Sequence, residues 1–264
     1  MLSRASWLPL AEGLEPGRRV RVNHDCGPGT TLLISRDVNG YRAYCFRCDD
    51  SGSARGPQES TAARVERLKQ SGLADSKVTQ RDTLPGPACK EVSSWPDAAR
   101  LWLYKAGLGK AEIGKLGAYY HEGTDRVVLP VLDKGRCVYW QARALDGRMP
   151  KYINPPVDRS QILPRYGKAE VPTLCEDILS AFKVGLVQEG WSLMGVKPSD
   201  RLVSELMKRG RRVNVWLDPD PPGQKAALRI CKTLRGLGFE AKNIVSTKDP
   251  KLHTRDQIKE ILNA

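Results

Sequence analysis

The sequence predicts an α/β protein with a mostly parallel sheet and flanking helices, preceded by a small all-β unit. The first observation is that short apolar runs alternate with helical patterns from residue 171 onward, which is typical of a parallel sheet with right-handed crossovers. The second is a group of β-favouring runs between residues 18 and 50. With 264 residues, the chain is long enough for one large domain or two or three small ones.

The amino-terminal unit is predicted from three β-favouring runs. They occupy residues 18–22, 31–35 and 41–46. Val38-Asn39-Gly40 lies between the last two runs and predicts a hairpin turn, because Asn-Gly readily adopts the positive φ angles that such a turn requires. We therefore expect three consecutive strands here.

The region from Asp49 to about Pro96 is rich in Ser, Gly, Pro, Gln and charged residues, which favours a linker. One short helix is predicted within it, with Ser60 or Thr61 as its cap and Ala62, Val65 and Leu68 on one face. A second helix is predicted to begin at Pro96, since proline is favoured in the first helical turn, and to end before Gly107.

The rest of the chain is predicted to contain two further strands followed by the alternating elements. The two strands cover residues 126–131 and 137–143. The predicted strands of the parallel sheet are residues 171–175, 191–196, 213–218 and 241–246, and the predicted helices are residues 177–187, 201–208, 224–237 and a last one from about 254.

Composition and charge indicate the class of partner. The chain has 43 Lys and Arg against 30 Asp and Glu, a formal charge of +13, which favours a polyanion such as nucleic acid. No apolar run approaches the ~18 residues that a membrane span requires. No signal peptide is recognisable, and the seven cysteines are odd in number and unevenly spaced, so we expect a reducing, cytoplasmic location. No phosphate-binding loop of an ATPase or helicase motor is present.

Four residues with metal-ligand chemistry lie at the ends of the predicted amino-terminal strands. His24 and Cys26 are followed after 18 residues by Cys45-x-x-Cys48. Because Zn²⁺ is held tetrahedrally by Cys and His, and a small hairpin needs such an ion to fold, this spacing predicts a zinc site. The His-x-Cys spacing is unusually tight, so Asp25 or water could replace His24.

A second constellation is acidic. Glu176 ends one predicted strand of the parallel sheet, and Asp218-Pro219-Asp220 ends another. Carboxyl ends of parallel strands meet at the edge where such sheets bind ligands. Clustered carboxylates in a basic protein favour a hard divalent ion, Mg²⁺ or Mn²⁺, and hence phosphate chemistry. Asp249 follows another predicted strand and is a further candidate ligand.

The strand–Glu…strand–Asp-x-Asp pattern resembles the TOPRIM fold. The segments around it resemble DnaG-type DNA primases of bacteria and bacteriophages; they are residues 126–131, Gly135, residues 140–143 and 151–156, Met194-Gly195-Val196 and residues 218–224. With the zinc unit, the resemblance covers residues 20–50 and about 95–260. It is most similar to a stand-alone phage primase whose helicase is encoded separately.

The resemblance implies a domain organisation and an activity. It implies a zinc-ribbon template-binding domain at 15–55, a flexible linker with a short helix at 56–94 and an RNA-polymerase domain at 95–264, divided into 95–168 and the TOPRIM part at 169–264. The implied activity is synthesis of short RNA primers on single-stranded DNA from ribonucleoside triphosphates. A separate replicative helicase is the expected partner.

The resemblance also implies roles for individual residues. Glu176, Asp218 and Asp220 would be catalytic and, with Asp249, would hold Mg²⁺ or Mn²⁺, while His24, Cys26, Cys45 and Cys48 would hold zinc. The residues expected to contact nucleotides or DNA are Arg143, Lys151, Tyr152, Asn154, Arg42 and Arg47. Tyr44 and Phe46 would stack on template bases, or else cover the inner face of the hairpin.

Two positions depart from the family pattern. Ser180 and Lys251 stand where relatives carry further acids, so the number of bound metal ions is open. Two other functions are consistent with a zinc unit and a TOPRIM fold. One is a non-catalytic DNA-binding mediator of recombination or repair, and the other is a TOPRIM nuclease.

Overall fold

The computed structural model describes residues 2–37, 40–56, 59–73 and 84–263. The chain divides into two compact units, Met1–Glu66 and Arg67–Ala264. The predicted domain limits at 55, 94 and 168 stay predictions. Val38 and Asn39 of the predicted hairpin turn lie outside the described residues. No helix in the described ranges is both long and apolar enough to span a bilayer.

The first unit is a four-stranded antiparallel sheet with one helix packed against it. The strands lie in the order β1 (Arg19–His24), β2 (Gly27–Asp37), β3 (Gly40–Cys45) and β4 (Ser51–Arg55). The first three strands confirm the sequence prediction. The helix α1 (Arg4–Glu12) and strand β4 were not predicted.

Helix α1 completes the small core of the first unit. Its Trp7 and Ala11 are fully buried and share a cluster with Leu32 and Ile34 of β2. A Cβ atom on Gly52 of β4 would lie 2.6 Å from the indole nitrogen of Trp7, so only glycine fits beneath this ring. The unit therefore has an apolar core besides its cluster of metal-binding residues.

The helix α2 (Thr61–Leu73) confirms the short helix that was predicted within the linker. The Ser60 hydroxyl accepts a hydrogen bond from the backbone N–H of Ala63 at 3.1 Å, as expected for a capping residue.

The second unit contains two sheets. The first is antiparallel, in the order β5 (Tyr119–His121), β6 (Arg126–Asp133), β7 (Arg136–Arg143) and β8 (Tyr152–Ile153). Two helices precede it, α3 (Asp97–Lys105) and α4 (Lys110–Leu116). Pro96 is the residue before α3, so the predicted helix start is confirmed to within one residue.

The second sheet is the predicted parallel sheet with an antiparallel edge strand. Its order is β13 (Glu240–Asn243), β12 (Arg212–Val215), β10 (Thr173–Cys175), β11 (Glu189–Ser192) and β9 (Arg165–Gly167). Only the pairing of β9 with β11 is antiparallel. The helices of this part are α5 (Ile178–Gly185), α6 (Asp200–Arg209), α7 (Pro221–Gly236) and α8 (Arg255–Asn263).

Helix α5 joins the two cores of the second unit. Ile178, Leu179 and Phe182 belong to the apolar cluster of the antiparallel sheet, whereas Ala181 and Val184 belong to a cluster of the parallel sheet. Nearly all of α5 is buried, including Lys183, whose Nζ donates to the carbonyl oxygen of Ala106 at 2.6 Å. This packing fixes the start of α5, where the acidic residues lie.

Candidate metal and nucleic-acid site

The first candidate site is formed by two turns of the amino-terminal sheet. His24 ends β1 and Cys26 precedes β2, while Cys45 ends β3 and Cys48 lies in the following turn. One donor atom from each of these four residues lies within 4.8 Å of all the others. The structure thus brings together the four residues that were predicted to bind zinc.

Two of the distances between donor atoms match those around a tetrahedral zinc ion. The sulfur atoms of Cys26 and Cys45 are 3.5 Å apart, and Cys48 Sγ is 3.5 Å from His24 Nδ1. Bonds of ~2.3 Å to sulfur and ~2.0 Å to nitrogen place tetrahedral donors about 3.5–3.8 Å apart. One nitrogen and three thiol sulfur atoms are ligands that Zn²⁺ prefers.

Local hydrogen bonds prepare one of the thiols for metal binding. Desolvation alone would raise the pKa of Cys45. Hydrogen bonds with the Thr31 hydroxyl and with the backbone amides of Cys48 and Arg47 outweigh it and lower the pKa to about 5. The thiolate, which is the form that binds a metal, is therefore favoured at neutral pH.

The exposed face of the zinc unit carries aromatic and basic side chains. Phe46 and Tyr44 are 53% and 39% exposed, so they do not cover the inner face of the hairpin. Their rings meet edge to face at 5.0 Å, and the Arg21 guanidinium lies 4.8 Å from the Phe46 ring centroid. Arg42 and Arg47 are exposed as well.

The second candidate site lies at the carboxyl ends of three neighbouring strands. Glu176 follows β10, Asp218 and Asp220 follow β12, and Asp249 follows β13. Because these strands are adjacent and parallel, their ends meet at one edge of the sheet. The structure therefore places the four predicted acids at the same edge.

The Asp-Pro-Asp-Pro-Pro-Gly run begins helix α7 directly at this edge. Asp220 caps the helix, with its Oδ1 accepting the Gly223 N–H at 2.7 Å, and Pro221 starts the first turn. A Cβ atom on Gly223 would lie 2.4 Å from the Asp218 carbonyl oxygen, so this position requires glycine. The run thus holds Asp218 and Asp220 on a rigid turn.

Burial changes the proton affinity of two of the acids. Burial raises the pKa of Asp218 to about 7, although the nearby Lys251 opposes the shift. Burial, followed by the charges of Asp177 and Asp220, also raises the pKa of Glu176. Both carboxylates are destabilised in their charged form, and a bound cation would offset this cost.

A lysine occupies the centre of the acidic edge, and sequence analysis did not foresee its contacts. Lys251 Nζ lies 2.7 Å from Asp249 Oδ2, 2.9 Å from Asp177 Oδ2 and 3.8 Å from Asp218 Oδ2. Among the described residues, the His/Cys group is the one set of three or more donors that lie close enough together to share an ion. The carboxylate oxygens of the acidic edge lie farther apart than that.

The acidic edge nevertheless has donors suited to a divalent ion. The Oδ1 atom of Asp218 is buried and has no hydrogen-bond partner among the described residues. Glu176 and Asp220 supply further carboxylate oxygens, which are the ligands that Mg²⁺ and Mn²⁺ prefer. The chemistry of these donors therefore fits such an ion.

Ser180 also has a partner in the structure. Its backbone N–H and its hydroxyl both donate to the Asp177 carboxylate, at 2.8 Å and 3.0 Å. Asp177 is thus the cap of α5, as its position at a helix start predicts.

A basic and aromatic group lies on the antiparallel sheet of the same unit. Arg143 of β7 is paired with Tyr152 of β8 and donates to its hydroxyl at 2.5 Å. The guanidinium also lies 4.9 Å from the ring centroid of Trp102, so two aromatic rings hold it. Lys151 is exposed beside Tyr152, and Asn154 Oδ1 is buried without a partner in the described part of the chain.

Sequence analysis missed two members of this group. Trp102 was assigned only to a helix, and Arg126 only to a strand. Arg126 is buried and donates to the Lys151 carbonyl oxygen at 3.3 Å, so it supports the segment that carries Lys151 and Tyr152. An arginine at the start of an otherwise apolar strand was the available signal.

The fold is similar to that of solved primase domains. It matches the solved zinc-binding and RNA-polymerase domains of the Aquifex aeolicus primase with a TM-score of 0.54 and 14% identity, covering 97% of this chain and 81% of that one. It also matches the E. coli primase catalytic core with a TM-score of 0.50 and 16% identity, covering 75% of this chain and 78% of that one.

The sequence comparison also finds a similarity to a DNA primase. The chain is 28% identical over 247 residues to the DNA primase of Clostridium acetobutylicum. The match covers 86% of this chain but 39% of that protein, so the chain spans about two fifths of the length of its relative. No protein-family model matches the chain. The predicted resemblance to DnaG-type DNA primases is thus confirmed in sequence and in fold.

Proposed function

We propose that this chain is a DNA primase that synthesises short RNA on a single-stranded DNA template by metal-assisted nucleotidyl transfer. The observation that carries the proposal is the position of Glu176, Asp218, Asp220 and Asp249. In a fold shared with primase RNA-polymerase domains, these acids follow three adjacent strands of one sheet. We assign this sheet and its helices to the TOPRIM fold.

Three of these acids would bind the divalent ion. Asp218 and Asp220 are held by the turn before α7 and Glu176 by the start of α5, whereas Asp249 already pairs with Lys251. When bound, Mg²⁺ or Mn²⁺ would neutralise the triphosphate and favour attack by the 3′-oxygen. Glu176 would either position the ion or accept the proton of the attacking hydroxyl. The bond from that oxygen to the α-phosphorus then forms as pyrophosphate leaves.

Two basic surfaces would hold the substrates. The Arg143 guanidinium, in contact with the rings of Trp102 and Tyr152, is suited to bind a phosphate with two hydrogen bonds, and Lys151 adds a second positive charge beside Tyr152. The zinc-binding residues would hold the turn that carries Phe46 and Arg47 and the end of β3, which carries Arg42 and Tyr44, so that these side chains face the template. Exposed aromatic rings flanked by arginine are suited to stack on single-stranded bases.

The test is a synthesis reaction with single-stranded DNA, the four ribonucleoside triphosphates and Mg²⁺, with products separated by size. We expect short RNA from the wild type and none from Asp218→Ala. Asp256→Ala removes an exposed acid on α8 and serves as the matched control, which should retain synthesis.

Two results would contradict the proposal. DNA binding without any RNA product, even with a replicative helicase added, would favour the non-catalytic mediator. Degradation of the DNA by the wild type but not by Asp218→Ala would favour the nuclease. The separate helicase, the phage origin and the cytoplasmic location remain predictions.

A further inference from the structure

The position of Lys251 is fixed by the chain around it. Pro250 is buried and begins the short turn Pro250–Leu252, which carries the lysine to the edge of the sheet. The side chain of Lys251 is only 18% exposed, although lysine usually extends into solvent. Its ammonium group faces carboxylates that follow three different strands, so it is part of the acidic edge.

These contacts divide the acidic edge into two halves. In the first half, the Oδ2 atoms of Asp177 and Asp249 contact the ammonium group at 2.9 Å and 2.7 Å. The other oxygen of Asp177 accepts the Ser180 N–H, so this carboxylate is fully engaged. In the second half, Asp218 Oδ2 lies farther from the ammonium group, at 3.8 Å, and Asp218 Oδ1 has no hydrogen-bond partner among the described residues.

We propose that Lys251 is a fixed cation that takes the place of one metal ion, so that the acidic edge binds a single divalent ion on the side of Glu176, Asp218 and Asp220. The inference rests on the proposed function, because it concerns the metal that the function requires. Lys251 neutralises part of the acidic charge permanently. It also repels any divalent ion that enters the half formed by Asp177 and Asp249.

The positive charge of Lys251 should weaken the binding of a divalent ion at the acidic edge. Removing a positive charge a few ångströms from a divalent ion should tighten binding by about tenfold or more, even at the high dielectric constant of a surface site. Replacing the lysine by another cation should leave the affinity unchanged. A lysine outside the acidic edge should have little effect, because its charge is screened by solvent.

The experiment measures Mn²⁺ binding to the zinc-loaded full chain by the electron paramagnetic resonance signal of free Mn²⁺. Four proteins are compared: the wild type, Lys251→Met, Lys251→Arg and Lys248→Met. Lys248 is exposed and lies three residues earlier on the same segment, so Lys248→Met removes the same charge from outside the cluster. Circular dichroism and thermal unfolding establish that each variant is folded.

We expect one Mn²⁺ per chain for the wild type, Lys251→Arg and Lys248→Met. Lys251→Met should bind Mn²⁺ at least about tenfold more tightly or take up a second ion. Equal affinity of Lys251→Met and Lys248→Met would overturn the inference, and so would weaker binding by Lys251→Met. If Lys251→Met does not fold, tighter binding by Lys251→Arg than by the wild type overturns it, and unchanged binding supports it.

The result is independent of RNA synthesis. If Lys251→Met binds Mn²⁺ more tightly while the wild type makes no RNA, the inference stands and the proposed function fails. If the wild type makes RNA but the affinities of the Met variants are equal, the proposed function stands and the inference fails. Absence of Mn²⁺ binding in all four proteins overturns the inference.

Discussion

Replacing Asp218 by asparagine should stabilise the metal-free protein, and increasingly so as the pH rises. The ordinary pKa of this carboxyl group is 3.8, and burial raises it to about 7 in the folded chain. Between these values, the folded protein holds a proton that the unfolded chain releases. The free energy of unfolding of the wild type therefore falls as the pH rises through this window. Asparagine does not titrate, so this decrease is absent in Asp218→Asn.

The size of the effect follows from the shift. From pH 5 to pH 7 the difference between variant and wild type should grow by at most about 2.7 kcal/mol, or ~1.4 kcal/mol per pH unit. The side chain of Asp218 is 24% exposed, so solvent screens part of this cost. We expect the difference in the free energy of unfolding to grow by about 1–2 kcal/mol up to pH 7 and then to stay nearly level to pH 8.

Urea unfolding at pH 5, 7 and 8 measures this difference on zinc-loaded protein without added Mg²⁺ or Mn²⁺. Asp256→Asn changes an exposed acid on α8 and is the control, expected to follow the wild type. A stability difference for Asp218→Asn that stays constant between pH 5 and pH 7, or that shrinks, would refute the reasoning. The same substitution should abolish RNA synthesis, so stability and activity should change in opposite directions.

Two further predictions concern the zinc unit. Cys48→Ser should lower the zinc content measured by elemental analysis to below half an equivalent per chain. Cys89→Ser changes a cysteine outside the cluster and should leave the zinc content unchanged. A full equivalent of zinc in Cys48→Ser would show that Cys48 is not a ligand. Phe46→Ala should weaken binding of single-stranded DNA by about 1–3 kcal/mol, as expected for loss of one stacked base, with zinc unchanged. Leu10→Ala removes a similarly exposed apolar side chain from α1 and is the control for Phe46→Ala. Equal losses of DNA binding in both variants would exclude stacking by Phe46.

The parallel sheet was predictable because its inner strands β10 and β12 are almost fully buried and lie within the continuous apolar runs at 171–175 and 213–217. The boundaries of the strands were less predictable. The run at 191–196 was expected to be one strand, but β11 covers Glu189–Ser192. The chain turns after Ser192, and Met194 has a φ of 49°, which no strand allows. Apolar content alone does not show where an apolar run leaves the sheet.

Helix α1 and strand β4 were missed for different physical reasons. Pro9 lies inside α1, and proline removes one helical hydrogen bond, so the local sequence argues against a helix. Packing of Trp7 on the sheet overrides that preference. Strand β4, Ser-Gly-Ser-Ala-Arg, has the composition of a linker and is defined by its pairing with β3.

The acids of the candidate site were predictable, but the lysine that contacts two of them, Asp218 and Asp249, was not. Glu176, Asp218 and Asp220 follow apolar runs, so their position at a sheet edge could be inferred from the sequence. The contact of Lys251 with Asp177 joins residues 74 positions apart, and it depends on the order of β10, β12 and β13. The sequence showed Lys251 only as a departure from an acidic pattern.

The two departures from the family pattern have a common physical consequence. An acid at position 180 or 251 would add negative charge to an edge where burial already raises the pKa of Asp218 and Glu176. Ser180 instead caps its helix together with Asp177, and Lys251 offsets the charge of the remaining acids. The folded chain therefore carries fewer uncompensated charges before a metal binds. It also depends on Asp218 and its neighbours for the one ion that the proposed chemistry needs.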